Sequence, residues 1–291
     1  MVVITPYFWL QHTLMQQHDP FYWKATRQAD HLVIGGSRAL KGVFPHIISE
    51  ELQLEGEMLN FAFTGVLSPY GDKYFKAIKR KLKPAGKAGV FILSVSPGSV
   101  MDFTDASEAR ESNFRFYKLW GMNQDPNIEY VLRHPRKGSA LLVEYLSEEK
   151  EAKNNVNRVY RDGSNGTYLP ESFKPKSRGV VMRYDMEKSP DREARLEALV
   201  NYLNERGRVF LVRIPVSRKT LREEESIYPF FDEKMKDLCN QKKDVWYFNY
   251  NDITERSPYR FSDGNQHLEG KSAEQFSLVL ANDIKNAMRN D

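Results

Sequence analysis

A serine set directly behind two glycines, in "HLVIGGSRALKG" at residues 31 to 42, is a first place where this chain's residue types could do chemistry. A hydroxyl is a poor nucleophile until a base takes its proton, so Ser37 would need a histidine, and that histidine a carboxylate to orient it. Among the six histidines, His12, His18, His31, His46 and His134 show no convincing acidic partner in a loop. His267 instead lies in the turn-rich "RFSDGNQHLEGKSAEQFS", shortly after Asp263. Ser37, His267 and Asp263 are thus the candidate nucleophile, base and orienting acid. The plainer alternative is that Ser37 only caps the helix behind it.

Such groups need elements to hold them. Four apolar, β-rich runs read as buried parallel strands: "HLVIGG" (31–36), "MLNFAF" (58–63), "GVFILSV" (89–95) and "RVFLVRI" (208–214), with "DVWYFNY" (244–250) a fifth. Helical patterns alternate with them, including "FPHIISEELQ", "SPYGDKYFKAIKRKLK", "PDREARLEALVNYLNERG", "SRKTLREEESIYPFFDEKMKDLCNQ" and the closing "EGKSAEQFSLVLANDIKNAMR". Alternation of this kind predicts an α/β domain over 1–291, a doubly wound parallel sheet with helices on both faces. Between the third and fourth strands the rhythm fails over residues 98–180, which read as an inserted, mainly helical cap or lid, since a structureless loop of that length is improbable. In an open parallel sheet, ligands bind at the carboxyl ends of the strands, where Ser37 falls. Gly35 and Gly36 would let the backbone turn tightly and expose its hydroxyl.

The segments "IGGSRA", "NFAFTG" and "SDGNQHLEGKSAEQF" resemble, in order, the first, second and fifth sequence blocks of the SGNH hydrolases, the GDSL-like esterase superfamily. The resemblance implies a flavodoxin-like α/β sandwich with a catalytic triad in which Ser37 is nucleophile, His267 base and Asp263 its orienter. It also implies an oxyanion hole. Asn60 and Gly65 hold the spacing of the second block, so Gly65 N–H would join Ser37 N–H there, although a glycine after a strand can equally be a plain turn. Asn60 reads as a loop brace or a substrate contact. Two departures stand out. The third block's asparagine is absent from "SVSPGSVMD", where Ser96 is the nearest replacement by position, though a serine before Pro97 also suits a turn. In the fifth block three residues, Gly264, Asn265 and Gln266, separate Asp263 from His267 where the family usually has two. The missing asparagine and the Ser-Arg after the first strand resemble a divergent bacterial branch that includes extracytoplasmic, often membrane-anchored proteins of cell-envelope polymer modification, among them D-alanyl-transfer and alginate-acetylation proteins.

Other features bound the reading. The chain has 291 residues, 41% of them apolar, enough for a sizeable core. Its net charge of +4 is spread along the sequence, without the basic stripe of a nucleic-acid binder. The single cysteine, Cys239, excludes an intramolecular disulfide and lies in a helical pattern without neighbouring His or Cys ligands. Neither a metal nor a cofactor is expected. No apolar run is long enough to cross a membrane. The opening "MVVITPYFWLQHTLM" reads either as an ordinary first helix or as the trimmed edge of a membrane-anchored precursor; the location follows as extracytoplasmic in the second case and cytoplasmic otherwise. Arg38 would pair with an anionic substrate or with a carboxylate of the fold. Arg213, inside a buried strand, calls for an acidic partner, with "REEES" one source, and is a weaker substrate-binding candidate. Phe114, Phe116, Tyr117 and Trp120 form a helical-spaced aromatic face suited to a core. The leading function is a serine-dependent esterase or O-acyltransferase acting on a small-molecule or carbohydrate ester. The alternative is a non-catalytic SGNH-like binding or scaffold domain. A nucleotide-binding domain would require a Gly-x-Gly-x-x-Gly or P-loop signature, which the chain lacks.

Overall fold

A computed structural model describes residues 4–64, 70–84, 88–103, 114–151, 156–174, 186–251 and 257–289. The chain opens with helices α1 (Ile4–His18) and α2 (Pro20–Thr26), the latter capped by Asp19, whose side chain accepts from Phe21 N–H. There follow β1 (His31–Ile34), α3 (Ser37–Gly42), α4 (Pro45–Leu52), β2 (Met58–Asn60), α5 (Asp72–Lys81) and β3 (Gly89–Ser94). The interrupted region contains β4 (Met101–Phe103), α6 (Ile128–Arg133), α7 (Lys137–Glu151), β5 (Val156–Val159), β6 (Asn165–Tyr168) and β7 (Met186–Lys188). The alternating rhythm then resumes with α8 (Pro190–Asn204), β8 (Gly207–Arg213), α9 (Arg218–Ile227), α10 (Phe231–Asn240), β9 (Val245–Asn249) and α11 (Gly270–Arg289).

Five strands form one sheet in the order β2-β1-β3-β8-β9, every neighbouring pair parallel. Numbered within the sheet alone, this is the flavodoxin-like order 2-1-3-4-5. Because successive side chains on a strand point to opposite faces, the apolar runs feed two cores. Leu32, Ile34, Phe91, Leu93, Val209 and Leu211 pack with residues of α2, α5, α8 and α10 on one side. Val33, Val90, Ile92, Phe210 and Val212 pack with α3, α4 and α11 on the other. Strands covered on both faces must be apolar throughout, and β1, β2 and β3 are buried along their full length.

Several boundaries differ from the sequence reading. The helical pattern over 217–241 is two helices, α9 and α10, parted at Tyr228-Pro229, where proline removes a donor and restricts the residue before it. The aromatic segment beginning at Phe114 is not one helix: it makes a single 3-10 turn at Phe116–Lys118, and α6 starts only at Ile128, beyond Gly121, Asn123 with φ 74°, and Pro126. Phe114 is buried and Phe116 and Tyr117 pack against the core, while Trp120 is 65% exposed. The insertion is broader and less helical than its reading. An antiparallel pair, β4 with β7, closes its base, so it extends to Lys188, and it contains the β5–β6 hairpin, which packs against α1, α3 and α11. Helix α7 packs along α1, where Gln11 donates to Ser139 Oγ at 2.6 Å. Among the described residues no helix is long and apolar enough to cross a membrane.

Candidate active site

The turn between β1 and α3 is where the sheet's connections diverge, with β2 on one side of β1 and β3 on the other. Gly35 has φ 142°, and a Cβ there would lie 2.8 Å from Ser94 Cβ at the end of β3. Its N–H donates to Tyr74 Oη at 3.1 Å, and that hydroxyl donates to Phe61 O at 2.7 Å, so the turn is tied to the strand on its far side. Gly36 takes the N-cap position with extended backbone and no side-chain cap. Ser37 therefore opens α3 without capping it, which settles the plainer alternative: its hydroxyl is engaged elsewhere.

That partner is His267, 230 residues away, whose Nε2 lies 2.8 Å from Ser37 Oγ. His267 Nδ1 lies 2.6 Å from Asp263 Oδ2. The extra residue between acid and base is absorbed by the loop. Asp263 Oδ1 accepts from the N–H groups of Asn265 (2.9 Å), Gln266 (2.9 Å) and His267 (3.2 Å), and Gly264 supplies the positive φ, 74°, that the tight wrap demands. The loop's stem is closed by a bridge between Phe261 and Leu268, and by Ser262 N–H donating to His267 O at 2.7 Å. The carboxylate is thus anchored by its own backbone before it orients the imidazole.

The electrostatics assign the protons. Burial opposes the Asp263 anion, but the bond and charge of His267 and the converging amides hold its carboxyl well below the usual range. An ionised carboxylate only accepts, so His267 carries its proton on Nδ1, and Nε2 is left to accept from the Ser37 hydroxyl. Burial pushes the His267 imidazole below its ordinary value; Asp263 works against this, while Lys41 and Arg38 reinforce it. At neutral pH the imidazole is unprotonated, the form a general base requires.

Around this chain the other expected residues are placed as follows. Arg38 turns to the fold's own carboxylate: it pairs with Glu224 Oε1 at 2.6 Å and donates to Gln266 Oε1 at 3.1 Å. Arg213, expected as a weaker substrate contact, is corrected to a buried structural cation, 2% exposed, bound to Glu224 at 3.1 Å and to both oxygens of Asp232 at 2.7 Å. Its partner Glu224 comes from "REEES". Of its two readings Asn60 takes that of a brace and not of a substrate contact: fully buried, it donates to Ala39 O and Val43 O and accepts from Ala62 N–H. Ser96 N-caps the turn Pro97–Ser99 in a reciprocal capping box with Ser99. Gly65 lies outside the described residues. Among the described residues no cluster of three or more His, Cys, Asp or Glu side chains could hold a metal ion.

Two sets of contacts escaped the sequence reading because their partners are far apart in the chain. His46 has an acidic partner after all, Asp162, at 2.7 Å and 116 residues away. The end of the hairpin abuts the loop that carries Asp263 and His267: Leu169 N–H donates to Glu269 Oε1 at 3.2 Å, and Arg260 donates to Pro170 O and Phe173 O. Gly270 leaves room for the Tyr168 ring, which a Cβ would meet at 2.5 Å. No known protein-family model matches this chain, and no curated protein is similar to it.

Proposed function

We propose that this protein is a serine-dependent esterase or O-acyltransferase of the SGNH type. The observation that carries the reading is the continuous hydrogen-bonded chain Asp263–His267–Ser37, at 2.6 and 2.8 Å, at the carboxyl end of β1. In this reading His267 Nε2 takes the Ser37 proton as Oγ attacks the ester carbonyl, and Asp263 stabilises the imidazolium that results. Ser37 N–H belongs to the first-turn amides that a helix leaves without an intrahelical acceptor, and it serves as one donor to the oxyanion. Collapse of the tetrahedral intermediate expels the alcohol, which leaves with the proton from His267. The acyl-Ser37 then passes its acyl group to water or to another hydroxyl, deprotonated in turn by His267. The resemblance to envelope-modifying proteins favours an acylated carbohydrate as the substrate class.

A fluorophosphonate probe tests this directly. Covalent labelling is expected on the Ser37 peptide, lost in Ser37→Ala and His267→Ala, with parallel loss of turnover of an acetyl phenol ester. One observation favours the non-catalytic alternative: after β3 the chain runs Val95-Ser96-Pro97, without the asparagine that completes the family's oxyanion hole. An unlabelled Ser37 in folded protein would establish that alternative.

A further inference from the structure

Helix α9 grips the site in two places that belong to different parts of the chain. At its start, Ser217 N–H donates to Asn265 O at 2.6 Å, inside the loop that carries Asp263 and His267. Two turns on, Glu224 pairs with Arg38, the residue after the nucleophile, and Arg38 in turn donates to Gln266, the residue before the base. Glu224 is shared. Its other oxygen binds Arg213, which is fixed by Asp232, itself the acceptor for Tyr247 Oη at 2.5 Å and Asn249 Nδ2 at 3.0 Å. One carboxylate therefore lies between two guanidiniums, its side chain 1% exposed, with Arg213 at 2% and Arg38 at 12%.

An arrangement like this is expensive to bury and is not needed to fill space, since apolar side chains of similar size would do that at no loss of stability. Its geometry has a direction: it runs from β9 and α10 through Glu224 to the two residues flanking Ser37 and His267. We propose that Arg38 and Glu224 are positioning residues that set the Ser37–His267 distance by clamping the nucleophile's helix to the base's loop. Resting on the hydrolase reading above, this assigns Arg38 to the fold and not to an anionic substrate. The planar fork is essential, because one guanidinium must reach Glu224 and Gln266 together, and a lysine ammonium has no such fork.

The charges facing His267 make the clamp measurable. They are Asp263 from its own loop and Arg38 and Lys41 from α3, the last two opposing its protonation. In full-length protein, Arg38→Gln, Arg38→Lys and Glu224→Gln are compared with wild type by thermal unfolding, by the pH profile of acetyl phenol ester turnover, and by NMR titration of the His267 imidazole. Arg38→Gln is expected to lower kcat by up to about 100-fold with KM little changed, the scale of loss that a misplacement of about 1 Å brings. It is also expected to raise the His267 titration, since a neighbouring cation is gone. Glu224→Gln is expected to lower that titration, because the Arg38 charge is left uncompensated, and Arg38→Lys to keep the wild-type titration without restoring kcat. A merely structural role would reduce the amount of folded protein and leave kcat per folded molecule unchanged in Arg38→Gln, and that result overturns the proposal. So does full recovery of kcat in Arg38→Lys. If wild-type protein neither labels with fluorophosphonate nor turns over ester, the hydrolase reading fails separately, and opposite shifts of His267 in the two neutralising variants still establish the coupling. Should Glu224→Gln fail to fold, the Arg38 pair, at the more exposed end, carries the comparison.

Discussion

At Asp263 three backbone amides converge on one carboxylate oxygen while the other holds His267, so the acid is fixed by its own loop and does not depend on a distant partner. Replacing that carboxylate with an amide is isosteric, yet it permits the imidazole to flip its proton to the wrong nitrogen. Asp263→Asn is expected to lower kcat by about 10⁴-fold, by the precedent of serine triads, with the Tm monitored to separate lost chemistry from lost loop structure. A silent Asp263→Asn beside inactive Ser37→Ala and His267→Ala would instead make the site a Ser-His dyad. The His267 shift gives a second expectation. A base works only when unprotonated, and burial pushes this imidazole below its ordinary 6.5, so the acid limb of kcat/KM should fall below pH 6.5. A limb above that value in wild-type protein would show that Asp263 outweighs burial and the neighbouring cations.

The elements impose their own constraints, and the β1–α3 turn is the tightest. Gly35 joins a backbone conformation rare for side-chain-bearing residues to a close approach on Ser94, so Gly35→Ala meets both strain and overlap. The expected loss of stability is about 2–4 kcal/mol, read by chemical denaturation, with ester turnover falling because Ser37 is displaced. Wild-type stability in this variant would mean that β1 and β3 part without difficulty at their ends. This turn was legible in the sequence because two glycines and a hydroxyl after an apolar run are a local signal. The break between α9 and α10 was legible only in retrospect from Pro229, since the apolar periodicity continues on both sides of it. The insertion was visible as a gap in the alternation, but its β4–β7 base was not: three-residue strands carry too little pattern to be told from loop.

For the whole molecule, pH acts through groups that folding has perturbed. Asp263 and Asp162 are half-buried carboxyls held below their ordinary values in spite of partial desolvation, Asp263 by His267 and its loop amides, Asp162 by His46 and Ser164. A group whose folded pKa is depressed contributes stability above its unfolded pKa, near 3.9, and loses it as pH falls through the folded value. The protein is therefore expected to lose Tm progressively below about pH 4, with Asp162→Asn flattening part of that slope. His46 works in the opposite sense. Burial opposes its charge but Asp162, Glu274 and Glu50 raise its pKa, so its contribution is present below about pH 6.5 and is lost as pH rises through the folded value. A Tm unaffected by Asp162→Asn across this whole range would mean that the hairpin contact at Asp162 does not contribute to global stability.

The sequence by itself determined the five-stranded parallel sheet, its order of elements along the chain and the identity of Ser37, Asp263 and His267 as the residues able to form a relay. Each of those depends on local periodicity, on turn chemistry, or on a resemblance confined to short segments. Only the tertiary structure decided that Ser37 and His267 meet at 2.8 Å, that three spacer residues leave Asp263 in register, and that Arg38, Asn60 and Arg213 serve the fold. The physical reason is that a side chain's role depends on which groups share its burial. Glu224 lies 11 residues from Arg213, on the next helix, and within reach of Arg38 only because α3 and α9 both begin at the carboxyl edge of the sheet. Sequence spacing carries no trace of that proximity. Buried charge requires a partner, which the sequence could state, but the choice among nearby carboxylates is made by packing.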